Sequence, residues 1–233
     1  MIEIRQAVKK FGKIYALNNA TCTIERGRIV GVLGINGAGK STMLKAIAGL
    51  IRLHSGEVQI DGDRPSIATR KKIAYLPEID VHYSWMTVGD AMAYFQDFYG
   101  DWDESKANHL LDYFQLNARS EISRMSKGTR AKTKLLLALS RKCEYLLLDE
   151  PLSGIDVLSR ENLLNGLVAD FAEEGQTIVI TTHEVKEVEA ILDDVLFIRD
   201  GEIVLKGNLD ELKQSRKQSL IDMMKELYVH ETV

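Results

Sequence analysis

The segment Gly34-Ile35-Asn36-Gly37-Ala38-Gly39-Lys40-Ser41-Thr42 constrains this chain more than any other, because it joins an apolar run to a helical one. Ile29-Val30-Gly31-Val32-Leu33 reads as a buried strand and Met43-Leu44-Lys45-Ala46-Ile47-Ala48 as a helix. The glycines therefore fall at a strand-to-helix turn, the setting in which this pattern cradles a phosphate. Glycine lets the backbone close around an anion, and the N–H groups of the loop and of the helix start point at it. Lys40 is suited to neutralise outer phosphates and Ser41 to offer a hydroxyl to Mg²⁺. The pattern predicts a nucleotide held by residues 34 to 42 inside an α/β fold.

With 233 residues, 45% of them hydrophobic and 27% charged, the chain can bury the core of one large domain, with room for a subdomain. A formal net charge of -4 argues against a nucleic-acid partner, which normally needs a concentrated basic patch. Arg70-Lys71-Lys72 and Arg216-Lys217 read as solvated faces. Cys22 lies in an alternating strand-like run and Cys143 follows a long apolar helix, so both read as core residues of a protein from a reducing compartment. The start Met1-Ile2-Glu3-Ile4-Arg5 carries no apolar signal core, and no stretch approaches the ~20 apolar residues of a membrane span. The expectation is a chain soluble by itself.

The opening third reads as strands, Ile2 to Val8, Ala20 to Ile24, Arg28 to Leu33, Glu57 to Ile60 and Ile73 to Leu76. From Thr87 to Lys142 the pattern turns helical, opening on the capping box Thr87-Val88-Gly89-Asp90. Ala107, Leu110, Leu111 and Phe114 share one helical face, and Leu135-Leu136-Leu137-Ala138-Leu139 is apolar all round, so both are predicted to be core. Strand Tyr145 to Leu148, helix Arg160 to Glu174, strand Thr177 to Thr181 and helix Glu184 to Leu192 then alternate, as in a parallel α/β sheet. Val195 to Arg199 and Glu202 to Leu205, parted by Asp200-Gly201, form a hairpin, and a peripheral helical tail follows from Leu209.

Apolar Tyr145-Leu146-Leu147-Leu148 runs into Asp149-Glu150-Pro151, which sets two carboxylates at the C-terminal edge of a parallel strand, where ligands of α/β sheets lie. Asp149 is suited to hold Mg²⁺, and Glu150 to polarise a water for in-line attack on a terminal phosphate.

With these two motifs in place the chain resembles the ATP-binding subunits of ABC transporters along almost its whole length. Met125-Ser126-Lys127-Gly128-Thr129 stands where that family carries its LSGGQ signature, Leu152-Ser153-Gly154-Ile155-Asp156 resembles the D-loop, and Thr181-Thr182-His183 resembles the switch histidine. The resemblance implies a P-loop NTPase core, residues 1–78 and 143–208, with an N-terminal antiparallel β subdomain, an inserted α-helical subdomain at 79–142 and a helical tail at 209–233. It implies ATP and Mg²⁺ as ligands, with Glu150, His183 and Lys40 catalytic, Ser41, Glu78 and Asp149 on the metal, and residues 34–42 on the phosphates. Ser126, Gly128 and Asp156 would complete a site on a second copy or close paralogue packed head to tail. The family's partners are separate transmembrane permease subunits, which would hold the chain at the cytoplasmic face of the membrane; no nucleic acid is expected.

Three departures from the family pattern stand out. Ile73-Ala74-Tyr75-Leu76-Pro77-Glu78 ends on glutamate where a glutamine is usual, adding a negative charge near the triphosphate. Lys127 and Thr129 replace Gly and Gln in the signature, although Ser126 and Gly128 remain. Phe11 takes the place of the aromatic that stacks adenine, a role for which core packing is the competing reading. Val81-His82-Tyr83-Ser84-Trp85-Met86 lies where a permease inserts its coupling helix; Tyr83, Trp85 and Met86 are either anchors for it or core residues. The Pro-Glu pair and the Ser-Lys-Gly signature resemble exporters with separate membrane chains. The alternatives are a soluble ABC protein acting on DNA or ribosomes, which would bring a coiled-coil insert or a second cassette, and a nucleotide-gated binding module with weak hydrolysis.

Overall fold

A computed structural model describes residues 1–79, 83, 85–155, 160 and 175–228. The predicted helix Arg160 to Glu174, and with it Asp156, falls outside the described residues apart from Arg160. Two sheets organise the described residues. The smaller is antiparallel, in the order β2-β1-β4, built from β1 (Ile2–Phe11), β2 (Ile14–Ile24) and β4 (Ser55–Ile60). The larger has the order β5-β6-β7-β3-β8-β9, formed by β5 (Ile73–Leu76), β6 (Tyr145–Asp149), β7 (Thr177–Thr182), β3 (Ile29–Leu33), β8 (Asp194–Arg199) and β9 (Glu202–Asn208). Its described pairings are parallel except for the β8–β9 hairpin at one edge.

Period-two alternation sorts the large sheet's side chains into two cores. Val30, Val32, Leu147, Val179 and Leu196 face α1 (Lys40–Ile47) and the small sheet, and a short α2 (Ile67–Lys71) leads into β5. Leu33, Leu146, Leu148, Ile180 and Phe197 face the opposite way, toward α3 (Val88–Phe98), α4 (Glu104–Tyr113) and α5 (Lys127–Leu139). Strands apolar on both faces are what a sheet covered on both sides requires. The expected capping box forms: Asp90 N–H donates to Thr87 Oγ1 at 3.1 Å and Thr87 N–H to Asp90 Oδ2 at 2.9 Å. Leu135 to Leu139 are buried as predicted, as are Ala107, Leu110 and Phe114, with Leu111 packed partly buried against them. Both cysteines are buried and free, and burial pushes the Cys22 thiol up to about 12.

Arg141 fastens the helical insert to the sheet. Its guanidinium pairs with both carboxylate oxygens of Asp101 at 3.0 and 2.9 Å, donates to the Ile73 carbonyl at 2.9 Å and lies over the Tyr99 ring. A bidentate, stacked arginine of this kind uses every face of its planar group.

Four parts of the chain depart from the sequence reading. β1 and β2 run longer than Ile2–Val8 and Ala20–Ile24, because register shifts between Ile4 and Ala7 and between Ala7 and Lys9 break the alternation that reveals a strand. The single helix expected over Glu184–Leu192 is α6 (Val185–Val188) followed by a 3-10 turn at Glu189–Ile191. Leu192 leaves the helix to sit over Gly31, where a Cβ would come within 2.6 Å of Leu192 Cδ1. The tail is helical, as α7 (Leu209–Arg216) and α8 (Leu220–Tyr228), yet it is not merely peripheral, since Leu220 and Met223 are fully buried.

Candidate active site

Residues 34–39 form the turn between β3 and α1 and residues 40–42 open the helix, and two of the glycines are dictated by backbone crowding. A Cβ on Gly34 would stand 2.6 Å from the Ile198 carbonyl oxygen, and one on Gly39, whose φ is +114°, would strike the Ala16 carbonyl oxygen. No side chain caps α1, so its first N–H groups open toward the cleft. The cleft has a volume of about 520 Å³ and is walled by the loop residues Asn36, Gly37 and Lys40 to Thr42, and by Glu78, Glu150 and His183.

Asp149 and Glu150 end β6 side by side and divide at once. Asp149, 1% exposed, accepts hydrogen bonds from Ser41 Oγ at 2.9 Å, Thr181 Oγ1 at 2.7 Å and Tyr75 Oη at 3.2 Å. Glu150 turns the other way because its backbone is left-handed, with φ +47°, and its N–H is fastened to the carbonyl and hydroxyl oxygens of Thr181 at 3.1 and 3.0 Å. Its carboxylate then meets His183 Nδ1 at 3.0 Å through Oε2 and Lys40 Nζ at 3.2 Å through Oε1. Glu150 Oε1 is buried and makes no hydrogen bond of acceptable geometry, so an acceptor is held ready beside the loop. Lys40, 5% exposed, also donates to the carbonyl oxygens of Gly34 at 2.8 Å and Ile35 at 3.2 Å.

The donors around Asp149 fit Mg²⁺. That ion takes hard oxygens, keeps several waters and binds through one or two carboxylates plus substrate phosphates. Ser41 and Asp149 already touch, and burial with three hydroxyl donors keeps the carboxylate oriented. Glu78 is exposed across the same cleft.

Other predicted site residues lie apart. Phe11 ends β1 at 55% exposure, with Lys9 Nζ 5.2 Å from its ring centroid, so it is no core residue and does not wall the cleft. Ser126 caps α5 by accepting from Thr129 N–H at 3.1 Å, and Gly128 packs where a Cβ would come 3.2 Å from the Gly154 carbonyl oxygen; neither walls the cleft of its own chain. Tyr83 and Trp85 are exposed and stacked, 5.8 Å between centroids, whereas Met86 is buried in the core. Sequence reading missed Tyr75 as a partner of Asp149, although the alternation that buries Ala74 and Leu76 on one face turns Tyr75 to the other.

A phosphate loop, an acid pair and a histidine gathered at the C-terminal edge of a parallel sheet define a P-loop nucleotide hydrolase. A family profile described as ABC transporter matches residues 17–153. The ABC transporter ATP-binding protein YtrB of Bacillus subtilis (strain 168) is 31% identical over 218 residues, covering 92% of this chain and 74% of that one. The lantibiotic transport ATP-binding protein SrtF of Streptococcus pyogenes is 31% identical over 212 residues, covering 90% and 92%. The dimeric structure of MJ0796, a bacterial ABC transporter cassette, superposes with a TM-score of 0.77 at 25% identity, covering 90% of this chain and 99% of that one. The chain therefore belongs to the ABC transporter family, as one of its ATP-binding, ATP-hydrolysing subunits.

Proposed function

We propose that two copies of this chain, or this chain and a close paralogue, pack head to tail and hydrolyse ATP in sites that each chain builds only in part, and that closing and reopening the pair moves separate permease subunits. The observation that carries this reading is that Ser126 and Gly128 are not among the residues walling the cleft of Lys40, Glu150 and His183. A helix start with a hydroxyl and close backbone N–H groups is a phosphate site without a phosphate loop beside it, so a second chain must supply one.

Within one chain the roles follow from the contacts. Lys40 exchanges the carbonyl oxygens of Gly34 and Ile35, and its contact with Glu150, for phosphate oxygens of ATP. Glu150, relieved of the ammonium, accepts a proton from the attacking water through Oε1, and His183 holds the carboxylate in register through Oε2. Ser41 and Asp149, with Glu78 from across the cleft, would hold Mg²⁺, whose charge offsets that of the phosphates. Phe11 offers its exposed ring to adenine and Asp156 completes the neighbour's site.

The exposed Tyr83–Trp85 pair supports a permease contact beside Glu78. Residues 79–142 form the helical subdomain that carries that contact and the Ser126 site together, while 1–78 with 143–208 form the nucleotide-binding core. Among the described residues no helix is long and apolar enough to cross a membrane; the permease would hold the chain at the cytoplasmic face. The direction is export, by likeness to SrtF, named as a lantibiotic transport protein. Phosphate release tests the chemistry: Glu150→Gln should lower turnover at least about 100-fold while ATP still binds. Turnover at the normal rate would remove Glu150 as the base.

A further inference from the structure

Tyr228, near the end of α8, reaches the phosphate loop from behind. Its hydroxyl lies 2.8 Å from the Ile198 carbonyl oxygen and 3.2 Å from that of Leu33, and one hydrogen is shared between the two. Leu33 is the last residue before Gly34, and the Ile198 oxygen is the one that a side chain on Gly34 would strike. The phenol thus sits on the seam where β3 and β8 end and the loop begins. Arg199 Nη1 donates to the Leu227 carbonyl at 2.9 Å, so two consecutive residues of α8 are tied to positions 33, 198 and 199. Burial pushes the phenol above the usual tyrosine value, which keeps it a donor at any working pH.

The same helix stands behind the other half of the site. An open apolar groove of about 570 Å³ lies beside α8 and α6, and its walls include Ile35 of the loop, His183, Val185, Ile221, Met224 and Tyr228. Leu220 and Met223, both fully buried, root α8 in the core, so the hydroxyl is delivered from a fixed base.

We propose that Tyr228 is a positioning residue for ATP binding and hydrolysis: by holding the Leu33 and Ile198 carbonyls together it sets the Leu33–Gly34 peptide, and through it the loop N–H groups and Lys40. The proposal rests on residues 34–42 being the phosphate loop. In the full chain, Tyr228→Phe removes one oxygen, and Lys40→Ala tests the loop reading separately. ATP affinity is measured with a fluorescent ATP analogue and Mg²⁺, and local order by hydrogen exchange read by mass spectrometry. Tyr228→Phe should raise the Kd about three- to tenfold, the worth of one hydrogen bond. It should also speed amide exchange in residues 34–41 and leave β1 and β2 unchanged. An unchanged Kd overturns the proposal, as does unchanged exchange at 34–41 or acceleration spread evenly over the chain, the mark of general destabilisation. Lys40→Ala binding as wild type overturns the phosphate-loop reading and this proposal with it; loss of ATP by Lys40→Ala beside normal binding by Tyr228→Phe overturns the proposal alone. Should Tyr228→Phe not fold, Arg199→Gln, which loosens the same helix end through Leu227, is read by the same two measurements.

Discussion

Two neighbouring acids meet different surroundings because one backbone angle separates them. Asp149 keeps its strand conformation and sinks among hydroxyls, while the left-handed φ of Glu150 swings its carboxylate toward Lys40 and His183. A non-glycine residue in that region costs on the order of 1 kcal/mol or more, and the Thr181 contacts to the Glu150 N–H hold it there. Gly39 also has a positive φ, which glycine adopts without strain, but a Cβ there would strike the Ala16 carbonyl oxygen, which cannot retreat without moving β2. Gly39→Ala should therefore abolish ATP-analogue binding and lower stability by about 2–4 kcal/mol, a φ penalty plus a backbone clash; binding within a few-fold of wild type, checked by the same titration, would contradict the role assigned to the loop's shape. The acids are legible in the sequence because an apolar run stops on them at a strand end, whereas His183 is reached through the family resemblance of Thr181-Thr182-His183. The contacts of Tyr75 and Thr181 are not legible there, since a hydroxyl within a strand reads as a β-forming residue until its neighbour across the sheet is known.

At the scale of elements, the sequence disclosed each described strand of the large sheet and the helical insert, because long apolar runs and helical periodicity survive without tertiary knowledge. It underestimated β1 and β2, whose bulges cancel the alternation, and it overextended the helix after His183, which is cut short so that Leu192 can cover Gly31. The join between the two sheets was invisible for the same reason: it is made by side chains distant in sequence. Asp61, just past β4, accepts from Arg26, Lys72, the Met1 ammonium and Tyr145, the first residue of β6. Burial alone would raise the Asp61 carboxyl, but these hydrogen bonds outweigh it and hold it well below the usual carboxylate range. A carboxyl depressed in the folded state stabilises fully above its unfolded value of about 4 and loses that contribution as pH falls through the folded one. Thermal melting of wild type and Asp61→Asn should differ by a constant amount above about pH 5 and converge as pH drops below about 4. A gap that stays constant to the lowest pH would show that the ionised carboxylate is not what joins the sheets.

For the whole molecule, the sheet sets the geometry of everything else. Its C-terminal edge collects the phosphate loop, the acids and His183, one face carries α1 and the small sheet, and the other carries the insert whose α5 begins at Ser126. Nothing in one chain's periodicity says that two of its sites belong to one ATP. Family resemblance supplies that expectation; in the structure the Ser126 hydroxyl caps α5 at Thr129 N–H, and Ser126 and Gly128 are not among the residues that wall the cleft of their own chain. Closure by ATP, with each nucleotide held between the loop of one chain and Ser126 and Gly128 of the other, is the central claim. Light scattering on the Glu150→Gln chain, which should bind ATP without consuming it, tests it most directly. With ATP and Mg²⁺ a particle of twice the single-chain mass is expected, reverting when nucleotide is removed; a single-chain mass at saturating ATP would contradict pairing of two copies of this chain.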